Sequence, residues 1–387
     1  MYNFVLENPT KIIFGKNTVD QIGPETKQFG TNILLVYGQG SIKKNGIYAA
    51  VTNSLKSSKL NITELGGIRS NPLLSDVRKG IKLTRQHAID VIVAVGGGSV
   101  IDTAKAIAAG AVVEHNVWQF FRGKKGIASA LPVCTVLTIA ASGSEMNGGM
   151  VITNDETHQK LGIGNKKLYP KVSILDPAVT FSVPASYTAY GAVDAIAHCL
   201  EFYFTTTLVN AHVQDRFIEG LIINIIEACN ILMIEPDNYE ARANMMWCAT
   251  MALNGWTAAG LGRVGFPMHM IEHSLSALHD LPHGAGLSII IPAWLRWAQK
   301  DHAEKIAQFA DRVFGIDTGT IDNNAALGIK KLKSWFTSVQ CPVKLSECSI
   351  KPGEIPTLAE HSLIQAKLWR LKEYSKETII EILTIAA

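Results

Sequence analysis

"VIVAVGGGSVIDTAKAIAAG", Val91 to Gly110, begins as a β-branched strand, turns on three consecutive glycines, and continues as an alanine-rich helix. A membrane span is excluded because Gly96 to Gly98, Asp102 and Lys105 interrupt the apolar run. A strand, a glycine turn and a helix start make a natural anion cradle. Gly96, Gly97 and Gly98 let backbone NH groups come close to a phosphate, and Ser99 adds a hydroxyl at the positive end of the helix dipole. The spacing matches neither the G-x-G-x-x-G fingerprint nor a P-loop, so a tight turn without a ligand stays open as the plainer reading.

Similar runs lie to either side: "NILLVYG" from Asn32, "VCTVLTIAA" from Val133 and "VSILDP" from Val172. Nearly continuous apolar strands separated by helical segments indicate a Rossmann-like parallel sheet covered on both faces. Ligands of such sheets bind at the carboxyl ends of the strands. Past Val183 and Pro184 strand-like runs almost vanish, and long stretches such as "VQDRFIEGLIINIIEACNILM" have helical periodicity. We therefore expect an α/β domain over 1–183 and an all-α domain over 184–387.

At 387 residues the chain can build two ordinary domains. With 47% hydrophobic residues, 18% charged and a net charge of +3, it carries no electrostatic footprint for nucleic acid or a membrane surface. A small-molecule partner is expected instead. The six cysteines form no C-x-x-C pair or disulfide-like framework, and "MYNFVLENPTKIIFG" lacks the pattern of a signal peptide, so the expected location is cytoplasmic.

"DAIAHCLE", Asp194 to Glu201, places an acid and an imidazole at i and i+4, on one face of a helix and among apolar neighbours. A buried Asp–His hydrogen bond would satisfy them, and so would a metal. Four of the eleven histidines fall within "HMIEHSLSALHDLPHG": His269, His273, His279 and His283. His269 and His273 are again i, i+4, and the "DLP" break lets the chain fold His283 back toward them. Imidazoles and a carboxylate suit Zn²⁺ or Fe²⁺, and the two clusters together favour a metal. "HMIEH" also fits the H-x-x-E-H zinc peptidase pattern, with Glu272 as the group that activates water, but that reading leaves the glycine loop and Asp194 without a role.

Together, "GGGSVIDTAKA", "ASGSE", "ILDP", "GAVDAIAHCLE" and "HMIEHSLSALHDLPHG" resemble the iron-dependent (group III) alcohol dehydrogenases, over nearly the whole chain. The details are most similar to the NADPH-dependent butanol dehydrogenase and broad-range aldehyde reductase branch. The resemblance implies a dehydroquinate synthase-like architecture: a dinucleotide-binding α/β domain, an all-α domain, and a metal in the cleft between them. It implies that Asp194, His198, His269 and His283 hold one divalent metal, Fe²⁺ or Zn²⁺, and that His273 stands outside the ligand set as a candidate proton relay. Gly97, Gly98 and Ser99 would hold the pyrophosphate with Asp102 beside them, while Thr138, Ser142, Asn71 and Lys160 would line the rest of the cofactor cleft.

Two departures stand out. Ala141-Ser142-Gly143-Ser144-Glu145 replaces a usual Gly-Thr-Gly-Ser-Glu, and His279 replaces a usual aromatic residue, where it could alter the substrate pocket or offer a competing imidazole. Trp247, Trp256, Phe266 and Met268 are expected near the site and favour a small, weakly polar aldehyde such as butanal. A polyol or glycerol dehydrogenase and a dehydroquinate synthase-like lyase are the alternatives within the fold.

For the cofactor we expect NADP(H). An acid at the end of the first cofactor-binding strand would bind the ribose 2′-hydroxyl of NAD and repel a 2′-phosphate. Here the strand ends in Gly38, Gln39 and Gly40, followed by Ser41 and the cations Lys43 and Lys44. A homodimer is also expected, built on strand edges offered by "NFVLEN" and "TKIIFG", and the family resemblance points the same way.

Overall fold

The computed structural model describes residues 1–208 and 210–387. The chain divides into two compact units, one of residues 7–183 with 235–254 and one of residues 1–6 with 184–234 and 255–387.

The first unit is built on a six-stranded parallel sheet. Its strands are β1 (Lys11–Phe14), β2 (Asn32–Gly38), β3 (Asn61–Ile68), β4 (Val91–Gly96), β5 (Val133–Leu137) and, after a separate antiparallel hairpin of β6 (Gly149–Asn154) and β7 (Gln159–Gly164), β8 (Val172–Leu175). The order across the sheet is β1-β8-β5-β4-β2-β3. All residues of β4, β5 and β8 are buried, as expected of strands covered on both faces. One face packs Ile33, Leu35, Val93 and Val95 against Val51 and Leu55 of the helix Ile47–Ser57.

From β2 the chain moves to β3 at one edge, then returns past β2 to β4 and continues the other way. The direction reverses between β2 and β4, which makes the carboxyl ends of these two strands the topological switch point. Their register sets Tyr37 beside Val95, so the loops that follow Gly38 and Gly96 start at the same level.

The expected division at 183/184 misses one exchange of segments. The helix Tyr239–Ala252 belongs with the sheet, where Thr250 donates to Glu145 Oε1 at 2.5 Å and Trp247 meets Phe14 edge-on at 5.9 Å. Met1–Leu6 belongs with the helices, where the Tyr2 amide donates to the Gly260 carbonyl at 3.0 Å. "NFVLEN" is accordingly not a strand, whereas "TKIIFG" supplies β1 at the sheet edge.

The second unit contains no strand among its described residues. Its central helix, Ala185–Thr205, is buried almost without interruption from Thr188 to Phe204. A helix apolar on all sides is enclosed by others, so any polar side chain on it must find its partner inside the protein.

Candidate functional site

Asp194, His198 and Glu201 project from this enclosed helix at i, i+4 and i+7, one above another on one face. Opposite stands the helix Pro267–His279 with His269, Glu272 and His273. It ends at Asp280, whose φ of 52° is left-handed, and Pro282 then starts the helix His283–Phe314 with His283 as its first residue. Glycines allow the close approach. A Cβ at Gly284 would lie 2.1 Å from the Tyr190 carbonyl oxygen, and one at Gly286 would lie 2.5 Å from Glu272 Oε1.

As a result, Asp194 Oδ1 lies 3.6 Å from the Nε2 atoms of His198, His269 and His283 alike. These separations are too long for hydrogen bonds. Donors about 2.0–2.2 Å from a shared tetrahedral centre stand roughly 3.3–3.6 Å from one another, which is the spacing found. Asp194 Oδ1 and His269 Nε2 are buried and have no hydrogen-bond partner among the described residues. Orphaned polar atoms converging on one point fit a divalent cation.

The other faces of two imidazoles are fixed by carboxylates. Glu201 Oε1 accepts from His269 Nδ1 at 3.0 Å and from the His269 amide at 2.9 Å, and Glu272 Oε2 accepts from His283 Nδ1. Such partners select the tautomer that turns Nε2 toward the centre. Sequence reading passed over both acids as orienting groups, although Glu201 continues the 194/198 face and Glu272 sits inside "HMIEH". Glu272 also accepts from the Ser276 hydroxyl through Oε1, so both of its oxygens hold neighbouring side chains, an orienting role and not the free base that a peptidase reading asks for.

Burial pushes the His198 imidazole down to about 3, against the pull of Asp194, which keeps its nitrogen lone pair available. Burial acts against the Asp194 carboxylate too, but His198, His283 and His269 outweigh it and hold the group well below the usual carboxylate range.

His273 is buried one turn beyond His269, with its ring 5.7 Å from that of His283 and 5.8 Å from that of Trp369. Phe266 lies 5.4 Å from His269 and 6.3 Å from Trp369, so these two half-buried aromatics flank the cluster. Trp369 left no signal in the sequence. Of the other expected wall residues, Met268 is core, Trp256 is half exposed at 49%, and Trp247 belongs to the sheet unit. His279 turns to Glu354, 3.4 Å from its Oε1, and does not compete for the centre.

In the sheet unit, the three glycines of the loop are required by the protein's own packing. A Cβ on Gly96, Gly97 or Gly98 would come within 2.4, 2.1 or 2.2 Å of Val100, Ile139 or Ser142. The helix Gly98–Ala111 follows with no side-chain cap at its start, so its first amides suit a phosphate that reaches that end. Thr138 braces the turn by donating its amide to the Gly96 carbonyl at 3.1 Å.

Asp102 has both oxygens engaged, accepting from the Ser144 hydroxyl at 2.6 Å and the Val151 amide at 2.8 Å. It therefore positions the loop. Lys105, fully buried, donates to Ser144 Oγ, the Asn147 carbonyl and the Gly149 carbonyl, all at 2.8 Å, and ties the same helix to the 144–149 segment. Lys160 donates to Asn71 Oδ1 at 2.9 Å, and both residues are buried. At the end of β2, Gly40 has a φ of +117°, which favours glycine, whereas a Cβ on Gly38 would make only ordinary contact with the Ile68 carbonyl at 3.5 Å.

A glycine turn at the switch point of a parallel sheet and a carboxylate ringed by imidazoles on enclosed helices are the equipment of a metal-dependent oxidoreductase. Comparison with known families narrows the class. The description "Iron-containing alcohol dehydrogenase" matches residues 9–177, and "Fe-containing alcohol dehydrogenase family, C-terminal" matches residues 188–387. The chain belongs to the iron-containing alcohol dehydrogenase family.

Among its relatives, a probable NADH-dependent butanol dehydrogenase of Bacillus subtilis is 42% identical over 99% of both chains. The NADPH-dependent aldehyde reductase YqhD of Escherichia coli is 37% identical over 94% of this chain and 95% of its own. Among solved structures, the NADH-dependent butanol dehydrogenase A of Thermotoga maritima superposes with a TM-score of 0.97 at 42% identity, covering 100% of this chain and 99% of that one.

Proposed function

We propose that this enzyme interconverts small primary alcohols and aldehydes, such as butanol and butanal, using NADP(H) and one divalent metal, Fe²⁺ or Zn²⁺, held by Asp194, His198, His269 and His283. The observation that carries this reading is the single carboxylate oxygen of Asp194 standing 3.6 Å from three Nε2 atoms.

When bound, the metal supplies a Lewis acid that favours the negative charge developing on the carbonyl oxygen during hydride transfer. The protein does the rest. Glu201 and Glu272 keep His269 and His283 in the ligating tautomer. Phe266 and Trp369 offer the alkyl chain an apolar wall, which suits butanal better than a polyol. His273, buried beside His283, is the group we assign to moving the alcohol proton.

Gly97, Gly98 and Ser99 would hold the pyrophosphate of the nicotinamide cofactor, which would supply the hydride. Preference for the 2′-phosphorylated cofactor is supported by the absence of an acid at Gly38 and Gly40, by the Ser41 hydroxyl, and by Lys43 close by. The relatives named above are described with either cofactor, so the choice is this chain's own.

A homodimer is part of the reading. β1 is a sheet edge carrying Phe14 at 39% exposure, available for a second copy to cover. Light scattering that shows a stable monomer at micromolar concentration would reject the dimer. Metal analysis of protein purified without added metal, followed by turnover of butanal with NADPH after restoring Fe²⁺ or Zn²⁺, tests the function. Protein that holds one metal per chain and turns over no aldehyde with either nicotinamide overturns it.

A further inference from the structure

The loop at the carboxyl end of β2 is flanked by a charge cluster that the reaction itself does not use. Tyr37, the residue before Gly38, lays its ring over Gly66 of β3, where a Cβ would come within 2.5 Å of the ring. Tyr48, on the helix Ile47–Ser57, meets Tyr37 edge-on with ring centres 5.6 Å apart. Both phenols donate to one carboxylate: Tyr37 to Glu64 Oε2 at 2.9 Å and Tyr48 to Glu64 Oε1 at 2.6 Å. Over the two rings stands the Lys43 ammonium, 5.0 Å from the centre of Tyr37 and 4.8 Å from that of Tyr48.

We infer that Tyr37, Tyr48 and Glu64 form a clamp that fixes Lys43 beside the 38–41 loop, and that Lys43 and Glu64 act as an opposed charge pair setting the preference between NADPH and NADH. The inference rests on the nicotinamide reading given above. Its geometry comes from the sheet: the 38–41 loop starts level with the phosphate-binding turn on the adjacent strand, and the reversal of strand order opens the crevice there.

A lysine on an exposed four-residue helix would ordinarily sample many rotamers. Two aromatic faces and a carboxylate behind them hold this one in a single region. Hydrogen bonding with Tyr37, opposed by a small loss of solvent and assisted by the charge of Glu64, raises the Lys43 pKa, so the ammonium stays charged throughout the working range. A fixed cation attracts a 2′-phosphate, while the Glu64 anion behind the rings offsets part of that attraction. NADH, which lacks the 2′-phosphate, feels neither strongly. The pair therefore makes the preference for NADPH smaller than the lysine alone would give.

The test uses the intact enzyme and two readouts. Binary-complex fluorescence gives Kd for NADPH and for NADH, and kcat/KM with butanal is measured for each. Lys43→Ala should lower the NADPH-to-NADH affinity ratio about fivefold, and Glu64→Gln should raise it by about the same factor, the scale of an exposed charge contact. Both changes should shrink as salt rises from about 20 to 500 mM, since exposed charges are screened over a Debye length; a loss of structure alone would not respond so.

A ratio that stays within twofold of the parent in either variant, or that moves toward NADH in Glu64→Gln, overturns the inference. A parent enzyme that binds both nucleotides yet reduces no aldehyde refutes the functional reading, while the affinities still decide on the charge pair.

Discussion

Gly286 lies so near Glu272 that a Cβ there would be 2.5 Å from Oε1 and 2.7 Å from Cγ of the acid. The same acid orients His283 through Nδ1. A residue that could never ligate therefore controls a ligand. Gly286→Ala should push Glu272 aside and release His283, weakening metal retention about tenfold or more, the usual cost of losing an outer partner. Metal per chain after dialysis against a graded chelator series is the measurement, with circular dichroism as the check that the helices remain. Retention equal to the parent would mean that Glu272 relaxes without moving the imidazole.

Direct removal of a donor should act more strongly. Asp194→Asn keeps the shape and takes away the only anionic donor of the proposed set, and His283→Ala removes the most exposed of its three imidazoles. Each should lose both metal and aldehyde reduction while the far-ultraviolet spectrum persists. Full occupancy in either variant would sink the ligand assignment.

Lys105 supports a prediction about stability. Its ammonium is enclosed and its donors go to Ser144, Asn147 and Gly149. Lys105→Met keeps the length of the side chain but leaves these acceptors and Asp102 without their cation. We expect a loss of about 3–5 kcal/mol, the range for breaking a buried charged network, read as a lower urea midpoint. Metal binding on the other unit should survive wherever the variant is folded.

The acid limb of stability should depend on Asp90. Its Oδ2 accepts the Thr31 and Asn32 amides, each at 2.9 Å, and these bonds, from Asn32 first, hold the carboxyl below its ordinary value of 3.8. A depressed folded value means that the unfolded chain takes up the proton first. The contribution is therefore complete above the unfolded value and is lost as pH falls through the folded one. Parent and Asp90→Asn should differ in urea midpoint near neutral pH and converge below about pH 4. A constant gap down the whole acid limb would show that the carboxylate charge is not what counts.

Gly38→Asp should shift cofactor choice toward NADH, because the new acid would bind the ribose hydroxyls and repel a 2′-phosphate. The backbone there accepts a Cβ without a clash, so the variant tests charge and not folding. Comparing kcat/KM for the two nucleotides with one aldehyde decides it, and an unchanged ratio would place the ribose elsewhere.

The sequence by itself determined the alternation of apolar strands and helices in the first half, the helical second half, and the two histidine–acid clusters, since each is a local pattern, a short continuous apolar run or a spacing of helical period. Gly96, Gly97 and Gly98 could be picked out as a turn for the same reason, although the side chains that demand glycine there, Val100, Ile139 and Ser142, include two from another strand's loop. Only the tertiary structure decided that the 239–252 helix belongs with the sheet, that Asp102 is occupied by Ser144 and Val151, that Trp369 stands beside His273, and that Lys43 faces Tyr37, Tyr48 and Glu64. Most of these are contacts between residues far apart in the chain. They follow from how close two backbones can come, and no periodicity along a single segment carries that information.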